Sequence, residues 1–344
     1  MNRPSPHGPD TAGPRPSPTG VASFRFFGIP FAVSSDDPGF LDTYRFTYRR
    51  MGDAAAEGEP GGLLFHVASP RGAAGAPAVT FTGGSAPDLA ETYRRGSNRY
   101  RFTLEPEADG WTGVRDGFLG GAHVMSVKGA CSVIRDADRW RAYCESVIFH
   151  TVVAQRADRF LLHAGVMASG DRGVILCGEA NRGKTTLVLN LARRGLTFLS
   201  DEIAWIDLDT HRVRAFPRTL GLREATLAML GAAAQGAERR ATRSLSGDDK
   251  WLVDLPALAS CPVGEECRAH AVVFLDGFGP ATVLTPLAPS AGALGLLRYA
   301  HTGDAGAVAT LMAAAEALGG ATFHSLTAGP PEEAAAAVMH LVDP

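Results

Sequence analysis

Eight residues in the middle of the chain carry the clearest chemistry. Gly178-Glu179-Ala180-Asn181-Arg182-Gly183-Lys184-Thr185 fills every fixed position of the pattern G-x-x-x-x-G-K-[ST]. The glycines allow the loop backbone to turn its N–H groups inward around an anion. The helix expected to begin near Lys184 points its positive end at the same place. Lys184 is then placed to reach the β- and γ-phosphates of a nucleotide. The Thr185 hydroxyl is placed to hold Mg²⁺, and Thr186 follows in the first helical turn. At this composition such a match is expected by chance roughly 0.005 times per chain. The pattern reads as a P-loop that binds a nucleoside triphosphate such as ATP, and it leaves the phosphate acceptor open.

Other residues could complete that chemistry. Asp201-Glu202 closes the apolar run LTFLS (196–200). Two carboxylates at a strand end lie where ligands bind in an open α/β sheet. One could hold a metal and one could take a proton from an attacking hydroxyl, or Asp201 could simply cap a turn. His163 sits on the strand before the P-loop strand, where an isolated histidine is more often a hydrogen-bonded core residue than a catalytic one. Asp276 ends VVFLD (272–276) in the manner of a Walker B acid, but the DGFG that follows also suits a plain turn. Cys261, Cys267 and His270 do not have the spacing of a zinc site.

The surrounding sequence sets out the elements that position these residues. DRWRAYCESVIFHTVVAQRA reads as a helix from Asp138, with Trp140, Cys144, Val147, Ile148 and Thr151 on one face. Strands are expected over 160–168 and 174–178, a helix over 184–194, and strands over 196–200, 203–208, 272–276, 282–287 and 321–326. Ala-rich helical stretches fall between 290 and 318. A last helix begins at Pro331, with Glu332 and Glu333 in its first turn. Upstream, FRFFGIPFAV (24–33) reads as one strand. Phe40, Leu41, Tyr44, Tyr48 and Met51 fall at helical spacing. The short apolar runs at 63–67, 78–82, 99–104 and 123–127, separated by Gly and Pro, suggest an antiparallel sheet. The expected organisation is a disordered Pro-rich tail (1–22), an α+β, mostly antiparallel N-terminal accessory domain (23–135) and an α/β P-loop domain (136–344).

Composition narrows the classes of function. The 344 residues are 45% hydrophobic and 20% charged, which is globular. A net charge of −3 gives no basic field for nucleic acid or an anionic membrane. Lysine occurs only at Lys128, Lys184 and Lys250, so the many arginines reflect a general bias rather than phosphate binding. No run is long and apolar enough to span a membrane, and MNRPSPHGPD is not a secretory signal. Five scattered cysteines argue against a disulfide framework and fit a reducing cytoplasm.

The run HAGVMASGDRGVILCGEANRGKTTLVLNLARRGLTFLSDEIAWID (163–207) resembles the catalytic domain of HPr kinase/phosphorylase and its wider group, and more distantly the P-loop phosphoenolpyruvate (PEP) carboxykinases. FPRTLGLRE (216–224) and DDKWLVDLP (248–256) are similar to segments that follow in such kinases. The resemblance implies an HPr kinase/PEP carboxykinase-like α/β fold. It also implies an ATP- and Mg-dependent transfer of the γ-phosphate to a hydroxyl, a serine in that family, of a peptide, protein or small molecule. By the same resemblance His163 and Lys184 are active-site residues. Gly178 to Thr186 bind the nucleotide, Asp201 is the general base, and Thr185 and Glu202 organise the metal. Homo-oligomers occur in the family. The chain departs from it in the glycine-containing signature, where true HPr kinases carry a metal-binding carboxylate ahead of it and the nearest match, Phe216-Pro217-Arg218-Thr219-Leu220-Gly221, has no acid at the equivalent place, and at Glu202, where they have Asp. Two other readings remain: a regulatory ATPase using Asp276, and a non-catalytic scaffold that binds nucleotide.

Overall fold

The computed structural model describes residues 20–52, 62–69, 79–83, 136–153, 155, 159–230, 236–245, 247–300, 312 and 315–343, together with the backbone of seven strands between 92 and 134. Most of the expected tail and part of the Ala-rich stretch, 301–311, lie outside the described residues. The first strands and helix are β1 (Val21–Phe26), β2 (Ile29–Ser35), α1 (Pro38–Thr47), β3 (Leu63–Val67) and β4 (Val79–Thr82). Next come β5 (Thr92–Arg95), β6 (Asn98–Arg101), β7 (Thr103–Pro106), β8 (Thr112–Arg115), β9 (Phe118–Leu119), β10 (Ala122–Val127), β11 (Ala130–Ile134) and α2 (Ala137–Val153). The second half begins with β12 (Arg159–Ser169), β13 (Arg172–Cys177), α3 (Lys184–Arg193), β14 (Thr197–Ser200), β15 (Ile203–Asp207), β16 (Val213–Arg214), β17 (Leu220–Leu222) and α4 (Glu224–Leu230). It ends with β18 (Arg239–Arg243), β19 (Asp249–Val253), α5 (Leu255–Ala259), β20 (Glu266–Phe278), β21 (Val283–Leu287), α6 (Pro289–Leu296), β22 (Thr322–Ala328) and the C-terminal helix Pro331–Val342.

The first half differs from expectation in two ways. Strand structure begins at Val21, inside the stretch read as tail. The single strand expected over 24–33 is a hairpin, β1 pairing antiparallel with β2. Phe27 (φ 53°) and Gly28 (φ 77°) form its two-residue turn, and both need positive φ. Glycine reaches that region freely, whereas phenylalanine does not. Burial of the Phe27 ring offsets the strain, since it stacks on Phe216 at 5.0 Å and meets Trp205 edge-on at 5.2 Å. The six-stranded sheet β1-β2-β3-β4-β8-β7 is mostly antiparallel, with one parallel step. β2 and β3 run parallel, because α1 lies between them in sequence and returns the chain to the same end of the sheet.

Aromatic side chains fill this half. Phe24, Phe26, Phe31, Phe40, Tyr44, Tyr48, Phe65 and Phe81 join Trp140, Tyr143 and Val147 of α2 in one buried cluster. Leu161, Ile203 and Phe216 of the second half belong to the same cluster, so the two halves share a core. The α2 helix opens as its sequence implies. Asp136 Oδ1 accepts the Arg139 backbone N–H at 2.9 Å, satisfying a donor that the first helical turn leaves free.

In the second half the expected open α/β sheet is a mixed one. Every residue of β12 except Ser169 is buried. Its first part pairs antiparallel with β15, and its later part with β13 and β14. β13 runs parallel to β20, and β20 runs parallel to β22. β20 also pairs with β16, and β16 with β15. The pairings therefore return on themselves around β12, β15, β16, β20 and β13. The tight turn between β12 and β13, with Gly170 at φ 56°, imposes the antiparallel step. α3 and the C-terminal helix cover one face through Leu187, Val188, Leu191, Ala335 and Val338. No helix among the described residues is long and apolar enough to cross a membrane.

Candidate active site

The Gly178–Thr185 loop joins β13 to α3, as its sequence requires. Two of its residues take the left-handed conformation, Asn181 (φ 69°) and Gly183 (φ 87°). Gly183 is the residue at the start of α3, where its lack of a side chain permits that geometry. α3 lies close against β12: a Cβ added at Gly165 would sit 2.8 Å from Val188 Cγ2 and 3.7 Å from Lys184 Cγ. That close approach sets the first turn of α3 beside the middle of β12.

The approach brings His163 to Lys184. Lys184 Nζ lies 3.1 Å from His163 Nε2, and both residues are buried. An ammonium only donates, so Nε2 accepts and the ring proton belongs on Nδ1. Nδ1 is 3.4 Å from Glu202 Oε1, which orients the ring. The β12 backbone is fixed at the same point. The His163 N–H donates to the Tyr299 carbonyl at 2.7 Å, and the Ala164 N–H donates to the Glu202 carbonyl at 3.1 Å.

Asp201 meets the loop from the end of β14. Thr185 Oγ1 donates to Asp201 Oδ2 at 2.9 Å. Its other oxygen, Oδ1, is buried and has no hydrogen-bond partner among the described residues. Burial, reinforced by the neighbouring Glu202 carboxylate, pushes the Asp201 pKa up to about 6, although Lys184, Thr185 and Lys250 pull the other way. A carboxyl group with that pKa is mostly ionised at neutral pH and still accepts a proton readily.

These groups line a cavity of about 570 Å³. Glu179, Ala180, Asn181, Gly183, Lys184, Thr185 and Thr186 form one wall, with His163, Asp201 and Glu202 beside them. Glu179 is tied to Arg298 by a 2.6 Å ion pair. Gly178 and Arg182 are not part of the lining. Gly178 backs the loop against Leu275, 3.2 Å from where its Cβ would be. Arg182 turns outward, and its Nη1 donates to the Asp276 carbonyl at 2.9 Å.

Residues that the motif did not reveal also line the cavity. Thr43 and Thr47 come from α1, Tyr48 follows it directly, and Arg141, Glu145 and His150 come from α2. Arg218 bridges the two halves of the molecule. It pairs with Glu145 at 3.0 Å and lies over the Tyr48 ring, while the Tyr48 hydroxyl donates to Glu145 at 2.6 Å. Desolvation opposes the Arg218 charge, but Glu145, Tyr48, Glu202 and Asp201 together hold its pKa above the ordinary value. Lys250 of β19 also lines the cavity and acts electrostatically on Asp201. Its rarity was the available signal, since only three lysines occur in the chain. Asp276 is elsewhere: it is exposed, accepts a hydrogen bond from the Ser325 hydroxyl, and is not among the cavity residues.

The structure is similar to that of the HPr(Ser) kinase/phosphatase from Coxiella burnetii, with 15% sequence identity, 53% of this chain and 87% of that chain covered, and a TM-score of 0.25. No family model matches the chain, and no curated protein sequence matches it. An overlap that loose leaves the reading of the site to its own geometry. The architecture itself is mixed α/β with several sheets.

Proposed function

We propose that the chain is an ATP- and Mg²⁺-dependent kinase that transfers the γ-phosphate to a hydroxyl, of the serine type, on a peptide, protein or small molecule. The observation that carries the reading is the contact between Thr185 and Asp201. It joins the residue at the end of the Gly178–Thr185 loop to a buried carboxylate with one oxygen unsatisfied.

The donor set fits a triphosphate with its metal. A glycine in the left-handed region opens α3, and a buried lysine and a threonine hydroxyl follow it. Asp201 Oδ1 is a buried acceptor that calls for a partner. Thr185 and Glu202 would hold Mg²⁺, which when bound neutralises charge on the phosphoryl oxygens.

The protein's own residues supply positioning and proton transfer. His163, oriented by Glu202, fixes Lys184 so that its charge is in place before the phosphates arrive. Asp201 accepts the proton of the acceptor hydroxyl at its carboxylate. The α1 and α2 residues that line the cavity confine the acceptor.

The test is incubation with ATP labelled at the γ-phosphate, Mg²⁺ and a fractionated lysate as the source of acceptors. Wild-type protein labels an acceptor. Asp201→Asn binds ATP and does not label it. Labelling by the variant at the wild-type rate removes Asp201 as the base, and unchanged ATP affinity in Lys184→Ala removes the loop as the phosphate site.

A further inference from the structure

The segment Asp276-Gly277-Phe278-Gly279 at the end of β20 has no part in the phosphate chemistry, yet it abuts the loop. Phe278 is 68% exposed, unusual for a large apolar side chain on a central strand. Among the described residues it belongs to none of the three buried clusters. Its ring edge lies over Gly183: a Cβ placed there would be 3.1 Å from Phe278 Cε1 and 3.2 Å from Cζ. The exposed ring therefore stands at the rim of the loop proposed to hold the phosphates.

The surrounding backbone keeps the ring there. Gly277 has φ 138°, a conformation that L side chains rarely adopt, and its open side is filled by Arg182. Arg182 Nη1 lies 2.6 Å from where a Gly277 Cβ would be and donates to the Asp276 carbonyl at 2.9 Å. The loop and the strand end are thereby latched side by side. An exposed arginine and an exposed aromatic ring thus border the loop just outside the cavity, the ring against Gly183, which does line it.

We propose that Phe278 is the platform on which the base of the bound nucleotide stacks, with Arg182 beside it, making this edge the subsite for a planar heteroaromatic ring. This rests on the reading of the Gly178–Thr185 loop as a phosphate site. It adds where the non-phosphate end of the ligand lies. A flat π-face is sequence-tolerant, so purines, with the larger face, bind more tightly than pyrimidines. Stacking also explains why a phenylalanine is kept at the surface beside the loop.

The experiment compares binding of Mg-ATP and of inorganic tripolyphosphate with Mg²⁺ by calorimetry. The proteins are the wild type, Phe278→Ala and Phe278→Trp. Because Phe278 is mostly exposed, the variants fold, and circular dichroism checks this. Phe278→Ala weakens ATP binding about tenfold and leaves tripolyphosphate within about twofold, while Phe278→Trp retains ATP affinity. Equal loss for both ligands, no change for either, or tighter binding of both overturns the proposal. The last outcome would make the ring a plug over Gly183. Wild-type protein that binds neither ligand overturns the phosphate-site reading and this inference with it. ATP binding unaffected by Phe278→Ala overturns this inference alone.

Discussion

Two aspartates lie near strand ends on either side of the same loop, and the structure treats them in opposite ways. Asp201, after β14, is buried, bonded to Thr185 and pushed up to about 6. Asp276, near the end of β20, is exposed and bonded to the Ser325 hydroxyl. In sequence both follow an apolar run, and Asp276 has the more familiar Walker B form. The difference is which strand end faces the first turn of α3. β14 pairs with β12, against which α3 packs through the glycine at 165, so its end reaches Thr185. β20 pairs with β13 on the other side, and its end meets the outward-turned Arg182 instead. A carboxylate at a strand end becomes chemically useful only where packing removes water from it and leaves one oxygen to spare.

The largest effect that would sharpen this contrast is on transfer. Asp201→Asn lowers the rate about a thousandfold, the scale of a lost general base, while Asp276→Asn stays within about twofold. Equal losses in a labelled-ATP assay would erase the distinction.

Stability comes next, and its sign is the reverse of the activity. The Asp201 pKa is raised in the folded state, so its stabilising contribution is present below about pH 4 and is lost as pH rises through about 6. Above that, keeping the ionised carboxylate buried costs about 3 kcal/mol. Asp201→Asn is therefore more stable than wild type by up to that amount at pH 8, and the gain disappears near pH 4. Urea unfolding at the two pH values measures it. Asp276→Asn shows no such gain.

A smaller effect lies in the pH profile. With Asp201 as the base, kcat/KM falls tenfold per unit below about pH 6. A profile flat from pH 5 to 7 would separate the buried carboxylate from the proton transfer. Smallest is the response to Glu202→Gln, which keeps the shape of the side chain and removes its charge from His163 and Asp201. It lowers the apparent pKa of Asp201, because the Glu202 charge raises it, and shifts the acid limb of the profile to lower pH.

The glycine-rich loop, the helix it opens, the strand before it and the last helix were all legible in the sequence. Each is specified locally, by fixed glycines, by apolar runs, or by Pro331 with Glu332 and Glu333. The β1–β2 hairpin was not, because its turn uses Phe27 at positive φ, and nothing local favours that. Burial between Phe216 and Trp205, some 180 residues away, does. Nor did the sequence reveal that α1 and α2 wall the cavity. Their apolar faces announce a core, while Tyr48, Glu145 and Arg218 become one linked group only when the two halves share that core.

The sequence by itself determined the loop, its lysine and threonine, and the presence of two strand-end acids, because those depend on backbone freedom and residue chemistry over a few positions. Only the tertiary structure decided which acid meets the loop, that His163 holds Lys184, and which residues of α1 and α2 line the cavity. Burial and proximity across distant segments set charge and reactivity, and neither is encoded in any one segment.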